Sequence, residues 1–294
     1  MVSRCGTTSR MSWDCRYCAR PWRSICAKAA ACNALGNQRI AASLYILARM
    51  LDVRKGVFIE DPGYVGARNA FASAGAILTP VPVDQDGIAL PPGTLTQGSA
   101  VYTTPSRQFP TGACLPVARR LALIEAAEQA NAWIIEDDYD SEFRYTGAPV
   151  PSLHSLDAAG PHHLYRFDEQ SARAIAAHRL CRAASVARGT LRGGIVLYAY
   201  PSLPQRVRTA LDTFLTAAAT AKLPMEFRHT NGGMNLTGYF PDDRQPALRG
   251  FDIPQLSRYR LDPGRQGLVF GFTAWNHAAI RLAMKRLGEA WGTV

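Results

Sequence analysis

Residues 132–145, AWIIEDDYDSEFRY, constrain the fold of this chain more than any other stretch. Trp133, Ile134 and Ile135 form a short apolar run that passes directly into Glu136, Asp137, Asp138 and Tyr139. A run of this length, ended by polar residues, reads as a strand. In an open α/β sheet, ligands bind beyond the carboxyl ends of the strands. A carboxylate cluster and a tyrosine at such an end are therefore placed to touch one. The same residues would suit a solvated acidic turn, and the chain upstream decides between the two readings.

Upstream the pattern is orderly. VFIED (57–61) reads as a strand, Pro62-Gly63-Tyr64 opens a turn, and residues 65–74 suit a short helix closed by Gly75. Residues 76–83 form another strand, followed by a proline- and glycine-rich loop, the strand 100–103 and the loop PSRQFPTG. Residues 115–130 predict a helix with Leu121, Ile124 and Ala127 on one side and Arg119, Glu125 and Glu128 elsewhere. Further back, LYILARM (44–50) resembles one face of a helix. Strands alternating with helices imply parallel βαβ units with right-handed crossovers.

With 294 residues and 47% hydrophobic content, the chain can bury one large core or two smaller ones. No apolar run approaches the ~20 residues that span a bilayer, and no signal peptide is evident, so a cytoplasmic protein is expected. The net charge of +10 raises one function class, a basic nucleic-acid binder. Its distribution argues otherwise. Residues 1–55 hold ten basic and two acidic side chains, residues 161–210 hold eight and two, and the remainder carries net negative charge. Neither basic segment has aromatic interleaving or a recognisable binding module. Five of the seven cysteines crowd the first 32 residues, where Cys15 and Cys18 have the C-x-x-C spacing. No second pair completes four ligands, so no metal site is expected.

IEDPGY (59–64), TPSRQFPTG (104–112) and IIEDDYDSEFRY (134–145), in this order and at these spacings, resemble the aminotransferase domain of MocR-type regulators of the GntR superfamily. TNGGMNLTGYF (230–240) and SRYRLDPGRQGLVFGF (257–272) resemble the small domain of the same family. The resemblance covers residues 44–160 and 225–292 and implies fold type I: a mostly parallel α/β large domain with helices on both faces, plus a smaller α+β C-terminal lobe. The implied boundaries are an irregular segment at 1–43, a cofactor-binding large domain at 44–200 with an anomalous stretch at 162–190, and a small domain at 201–294.

The implied cofactor is pyridoxal 5′-phosphate, whose ring is an electron sink when an ionised carboxylate keeps its pyridine nitrogen protonated. By resemblance Asp137 takes that role, Tyr139 bonds the ring's phenolic oxygen, and Gln108 joins the cofactor contacts. PSRQFPTG is similar to the aminotransferase N-P-T-G turn with Phe109 in place of the asparagine, which puts that polar contact in doubt. Arg107 is the candidate for a substrate carboxylate, because guanidinium pairs with carboxylate bidentately. Val269 occupies the slot where related enzymes carry an α-carboxylate arginine. A small-molecule amino acid or amine and a homodimer are the implied partners.

The Schiff-base lysine is missing. The chain has four lysines, Lys28, Lys55, Lys222 and Lys285, none in the expected S-x-S-K setting. Where the family carries that lysine the chain reads HHLYRFDEQSARAIAAHRLCRAAS (162–185). Permitted codons for this stretch, read one base later, give TIYIGSMSKVLAPSLRIGY, with the lysine codon overlapping those of Gln170 and Ser171. The same operation on QRIAAS (38–43) gives GSQQA, a phosphate-cradling turn, and on residues 17–35 gives an amphipathic helix. Shifted frames of GC-rich DNA also yield excess Arg, Ala and Cys, which accounts for both basic segments. The expectation is an aminotransferase-like domain without catalysis as written. The alternative is a pyridoxal-phosphate- and ligand-sensing effector domain of a MocR-type regulator, which without a winged helix would not bind DNA directly.

Overall fold

The computed structural model describes residues 38–51, 53–139, 144, 150–157, 164–167, 203–228, 230, 232–242, 248 and 250–291. The reframed stretch 162–190 and the first 37 residues lie almost wholly outside these, as do all the early cysteines.

Helix α1 (Gln38–Met50) leads through a 3-10 turn (Val53–Lys55) into β1 (Val57–Asp61). Then follow α2 (Val65–Ser73), β2 (Leu78–Asp84), β3 (Gly87–Ile88), β4 (Ala100–Thr103), α3 (Val117–Gln129) and β5 (Trp133–Asp137). A short helix α4 (Leu153–Leu156) precedes β6 (Leu164–Phe167). The second half carries α5 (Leu203–Thr220), β7 (Glu226–Phe227), β8 (Asn235–Tyr239), β9 (Gly267–Gly271) and α6 (His277–Trp291). None of the described helices is long and apolar enough to cross a membrane.

The large sheet has the order β3-β2-β1-β4-β5-β6. All its pairings are parallel except β2 with β3. Because β1 continues to β2 on one side while β4 lies on the other, the order reverses between β1 and β4. That is the topological switch point, where open α/β sheets form a ligand crevice.

Strand side chains alternate between two cores, as the two-residue period requires. Val57, Ile59, Ala100, Tyr102 and Ile135 pack with Leu44, Leu47, Ala67 and Phe71 of α1 and α2. Phe58, Val101 and Ile134 pack on the other face with Leu115, Leu123 and Ala127. The three central strands are thus buried on both sides, as parallel strands are.

Two expectations need correction. The face that α3 buries is Arg120, Leu123 and Ala127, whereas Leu121 is 48% exposed. At 3.6 residues per turn, positions i, i+3 and i+7 share a face, and the apolar count mistook the phase because the buried member at 120 is an arginine. The other concerns the first segment: α1 begins at Gln38, inside the stretch expected to be irregular. The residues read as a displaced phosphate turn are the first turns of this helix.

The small sheet, β7-β8-β9, is antiparallel. Leu236, Leu268 and Phe270 face α5 and α6 through Leu211, Phe214, Ile280, Met284 and Leu287. The opposite face carries Thr237, Tyr239 and Val269, and Val269 is buried against Tyr239 and Leu256.

Candidate cofactor and ligand site

Glu60 and Asp61 close β1, Thr103 closes β4 with Thr104 directly after it, and Asp137 closes β5, so the crevice at the switch point is rimmed by buried carboxylates. Each has a distinct set of partners. Glu60, 2% exposed, accepts from Thr103 Oγ1 at 2.6 Å and from Thr104 N and Oγ1 at 3.0 and 2.6 Å. It also accepts from Gln108 Nε2 at 3.1 Å. Burial raises its pKa, and these bonds oppose the rise. Asp61 accepts from the backbone N–H groups of Leu261 and Asp262 at 2.7 and 3.1 Å, which fastens the chain before β9 to the large sheet. Sequence reasoning passed over both residues, although IED closes β1 just as IIED closes β5.

Asp137 is 5% exposed and accepts a hydrogen bond from the hydroxyl of Tyr102. Glu136 points to the other face, where Arg120 Nη1 lies 3.8 Å away and the N–H groups of Leu153 and His154 donate at 2.9 and 3.2 Å. Arg120 is wholly buried, and its guanidinium also donates to the carbonyls of Leu115, Pro105 and Pro151. Two adjacent carboxylates therefore have opposite duties, set by strand parity: Glu136 braces the core and Asp137 faces the crevice side.

Tyr139 stands two residues beyond Asp137 and meets Phe109 with ring centroids 6.1 Å apart. Phe109 is the hub of an aromatic group, with Tyr64 at 5.9 Å and Tyr259 at 5.3 Å, all edge to face. The structure thus brings Asp137, Tyr139 and the PSRQFPTG loop to one end of the sheet. The Tyr64 hydroxyl is buried and makes no hydrogen bond among the described residues. Burial first, and then the charge of Asp137, push its pKa up to about 12, so it stays a neutral donor.

Gln108 and Arg107 are in the same loop but turn their polar groups into the protein. Gln108 Nε2 donates to Glu60, to Pro62 O at 2.7 Å and to Phe109 O at 2.7 Å. Its Oε1 accepts from Thr111 N and Oγ1 at 3.1 and 2.7 Å. Arg107, 5% exposed, crosses to the second sheet. Nη1 donates to Thr230 Oγ1 at 2.6 Å and to Gly232 O, and Nη2 donates to the carbonyl of Asn235. Beside it Thr237 Oγ1 donates to Pro110 O at 2.7 Å. The sequence points Arg107 at a substrate carboxylate; its two terminal nitrogens instead bind the turn TNGGMN.

The two ends of the site differ in their fit to a pyridoxal ring. One end fits: a buried carboxylate for a protonated ring nitrogen, a tyrosine two residues on, and the orphaned buried hydroxyl of Tyr64, the kind of group a ligand satisfies. The covalent end does not fit among the described residues. Lys55 precedes β1, and a Cβ on Gly98 would meet its Nζ at 2.8 Å. It therefore sits at the amino ends of the strands, opposite Asp137. Lys222 lies two residues past the end of α5 at φ 51, next to Leu223, which packs in the core between the helices and the small sheet. Lys285 is exposed on α6, 3.8 Å from Glu289.

An open, mostly parallel sheet with its crevice at the switch point, together with a small antiparallel sheet, is the α/β fold that solved aminotransferases share. An archaeal alanine:glyoxylate aminotransferase superposes with a TM-score of 0.68 over 86% of this chain and 73% of its own, at 20% identity. No family model matches the chain. Among curated proteins, the probable rhizopine catabolism regulatory protein MocR of Rhizobium meliloti is 47% identical over 120 residues, 40% of this chain and 24% of that protein. The pyridoxine biosynthesis transcriptional regulator PdxR of Corynebacterium glutamicum is 31% identical over 278 residues, 84% of this chain and 60% of that protein. The chain resembles the aminotransferase-like domain of MocR-type regulators. It spans between a quarter and three fifths of the length of these two curated relatives.

Proposed function

We propose that this chain is a MocR-type aminotransferase-like domain that holds pyridoxal phosphate weakly and without a covalent link, and turns over no amino acid. The observation behind it is the split in the site: the ring-nitrogen end is built around Asp137, while every described lysine lies elsewhere. In this reading Asp137 faces the ring nitrogen and Tyr139 the phenolic oxygen. Gln108 and Arg107 act one step back, Gln108 by shaping the loop and Arg107 by tying it to the second sheet. Residues 44–200 then form the cofactor-side unit and 201–294 the lobe above it. Equilibrium dialysis against pyridoxal phosphate tests this. Saturable binding that weakens about tenfold in Asp137→Asn supports it, as expected for one charge-assisted contact. Identical retention by the two proteins overturns it.

A second reading is favoured by the relatives MocR and PdxR, both named as regulators. In it the crevice senses an amino acid or amine beside the cofactor, within a homodimer, and the response is a change of conformation. A thermal shift produced by an amino acid or amine only when pyridoxal phosphate is present would favour sensing over a merely degraded enzyme.

A further inference from the structure

Asp137 does not stand alone at the end of β5; it is held from below. In the β4–β5 ladder Tyr102 is opposite Ile135, and Thr103 is opposite Glu136. Asp137 is two residues past Ile135, hence on the same face as Tyr102 and about 7 Å further along the strand. A tyrosine side chain reaches about that far, and the Tyr102 hydroxyl donates to Asp137 Oδ2. Both residues are buried, Tyr102 completely.

The phenol is itself immobilised. Its ring meets Phe71 edge to face at a centroid distance of 5.6 Å and belongs to the core formed with α1 and α2. Burial raises its pKa well above that of an ordinary tyrosine, and the Asp137 charge adds to the rise, so the hydroxyl remains a donor at any working pH. A neutral donor aimed at one carboxylate oxygen favours the ionised acid and fixes its rotamer.

We propose that Tyr102 is the positioning residue of this site: it sets Asp137 in advance for a protonated nitrogen heterocycle. This rests on the reading of Asp137 as the ring-nitrogen partner. Tyr102 touches no ligand, because it approaches the carboxylate from the core, and its effect passes entirely through Asp137.

The test is a double-mutant cycle on the full chain with Tyr102→Phe, Asp137→Asn and both. Tyr102→Phe keeps the ring in its packing and removes only the donor. Without cofactor, the denaturation midpoint of the double variant should match that of the more affected single variant instead of falling by the sum of the two. With pyridoxal phosphate, Tyr102→Phe should weaken binding about tenfold in the wild-type background. It should change nothing further in Asp137→Asn, and should make binding more sensitive to falling pH. Additive midpoint shifts, or equal weakening in both backgrounds, would overturn the proposal. If the wild type binds no pyridoxal phosphate while the midpoints still couple, the ring-nitrogen reading and the advance setting for a heterocycle both fall. Coupled midpoints together with uncoupled binding leave the cofactor reading intact and sink Tyr102 as its positioning residue.

Discussion

The guanidinium of Arg107 lies where a side chain on Gly233 would have to be. A Cβ built at Gly233 overlaps Arg107 Nε and Cζ, and the glycine holds φ +89. The loop at the end of β4 and the residues around Gly233 are thus fitted to each other, one contributing a buried cation and the other oxygen acceptors and a missing side chain.

Gly233→Ala should therefore cost more than a glycine replacement in an open turn, about 2–4 kcal/mol, because a left-handed backbone and an overlap add. Arg107→Lys should fail to rescue Arg107→Ala, since one ammonium does not span Thr230, Gly232 and Asn235 as a planar fork does. Urea denaturation of the three variants checks both statements. A Gly233→Ala variant as stable as wild type would contradict the first, and an Arg107→Lys variant as stable as wild type the second.

The buried pair of Arg120 and Glu136 makes a separate prediction. Removing one partner should destabilise by about 3–5 kcal/mol, as it strands a buried charge. Arg120→Met with Glu136→Leu should be milder than either Arg120→Met or Glu136→Leu alone. Denaturant midpoints for the set decide it, and simple additivity would show that the charges do not interact.

Glu60 predicts a pH dependence. Its folded pKa is raised above the ordinary carboxyl value by burial. In that window the native state binds more protons than the unfolded state, so stability is fullest below the unfolded pKa and is lost as pH rises through the folded one. Wild-type stability followed from about pH 4 to pH 8 should contain this falling component, and Glu60→Gln should flatten it. A variant that declines as steeply as wild type would remove Glu60 as the source.

Much of the fold was legible because the large sheet is built from short apolar runs whose ends coincide with turn residues: VFIED with Pro62-Gly63, and AVYT with its proline loop. The position of Asp137 and Tyr139 at the end of β5 was legible for the same reason, since these polar residues directly follow the apolar run. Arg107 was not, because a loop arginine has the same appearance whether it meets a substrate or a carbonyl 125 residues away in the chain. Nor was Arg120, whose charge disguised a core position. Tyr102 was read only as a strand residue; its hydroxyl matters through a register that pairing, not composition, creates.

Borohydride reduction of the chain with pyridoxal phosphate, followed by peptide mapping, tests the central claim most directly. The expected result is no stoichiometric pyridoxyl adduct on Lys55, Lys222 or Lys285 and no turnover of any amino acid. In a chain whose residues 162–180 are replaced by TIYIGSMSKVLAPSLRIGY, the adduct should form on the lysine of that segment. A stoichiometric adduct on Lys222 of the original chain, with measurable transamination, would contradict this account.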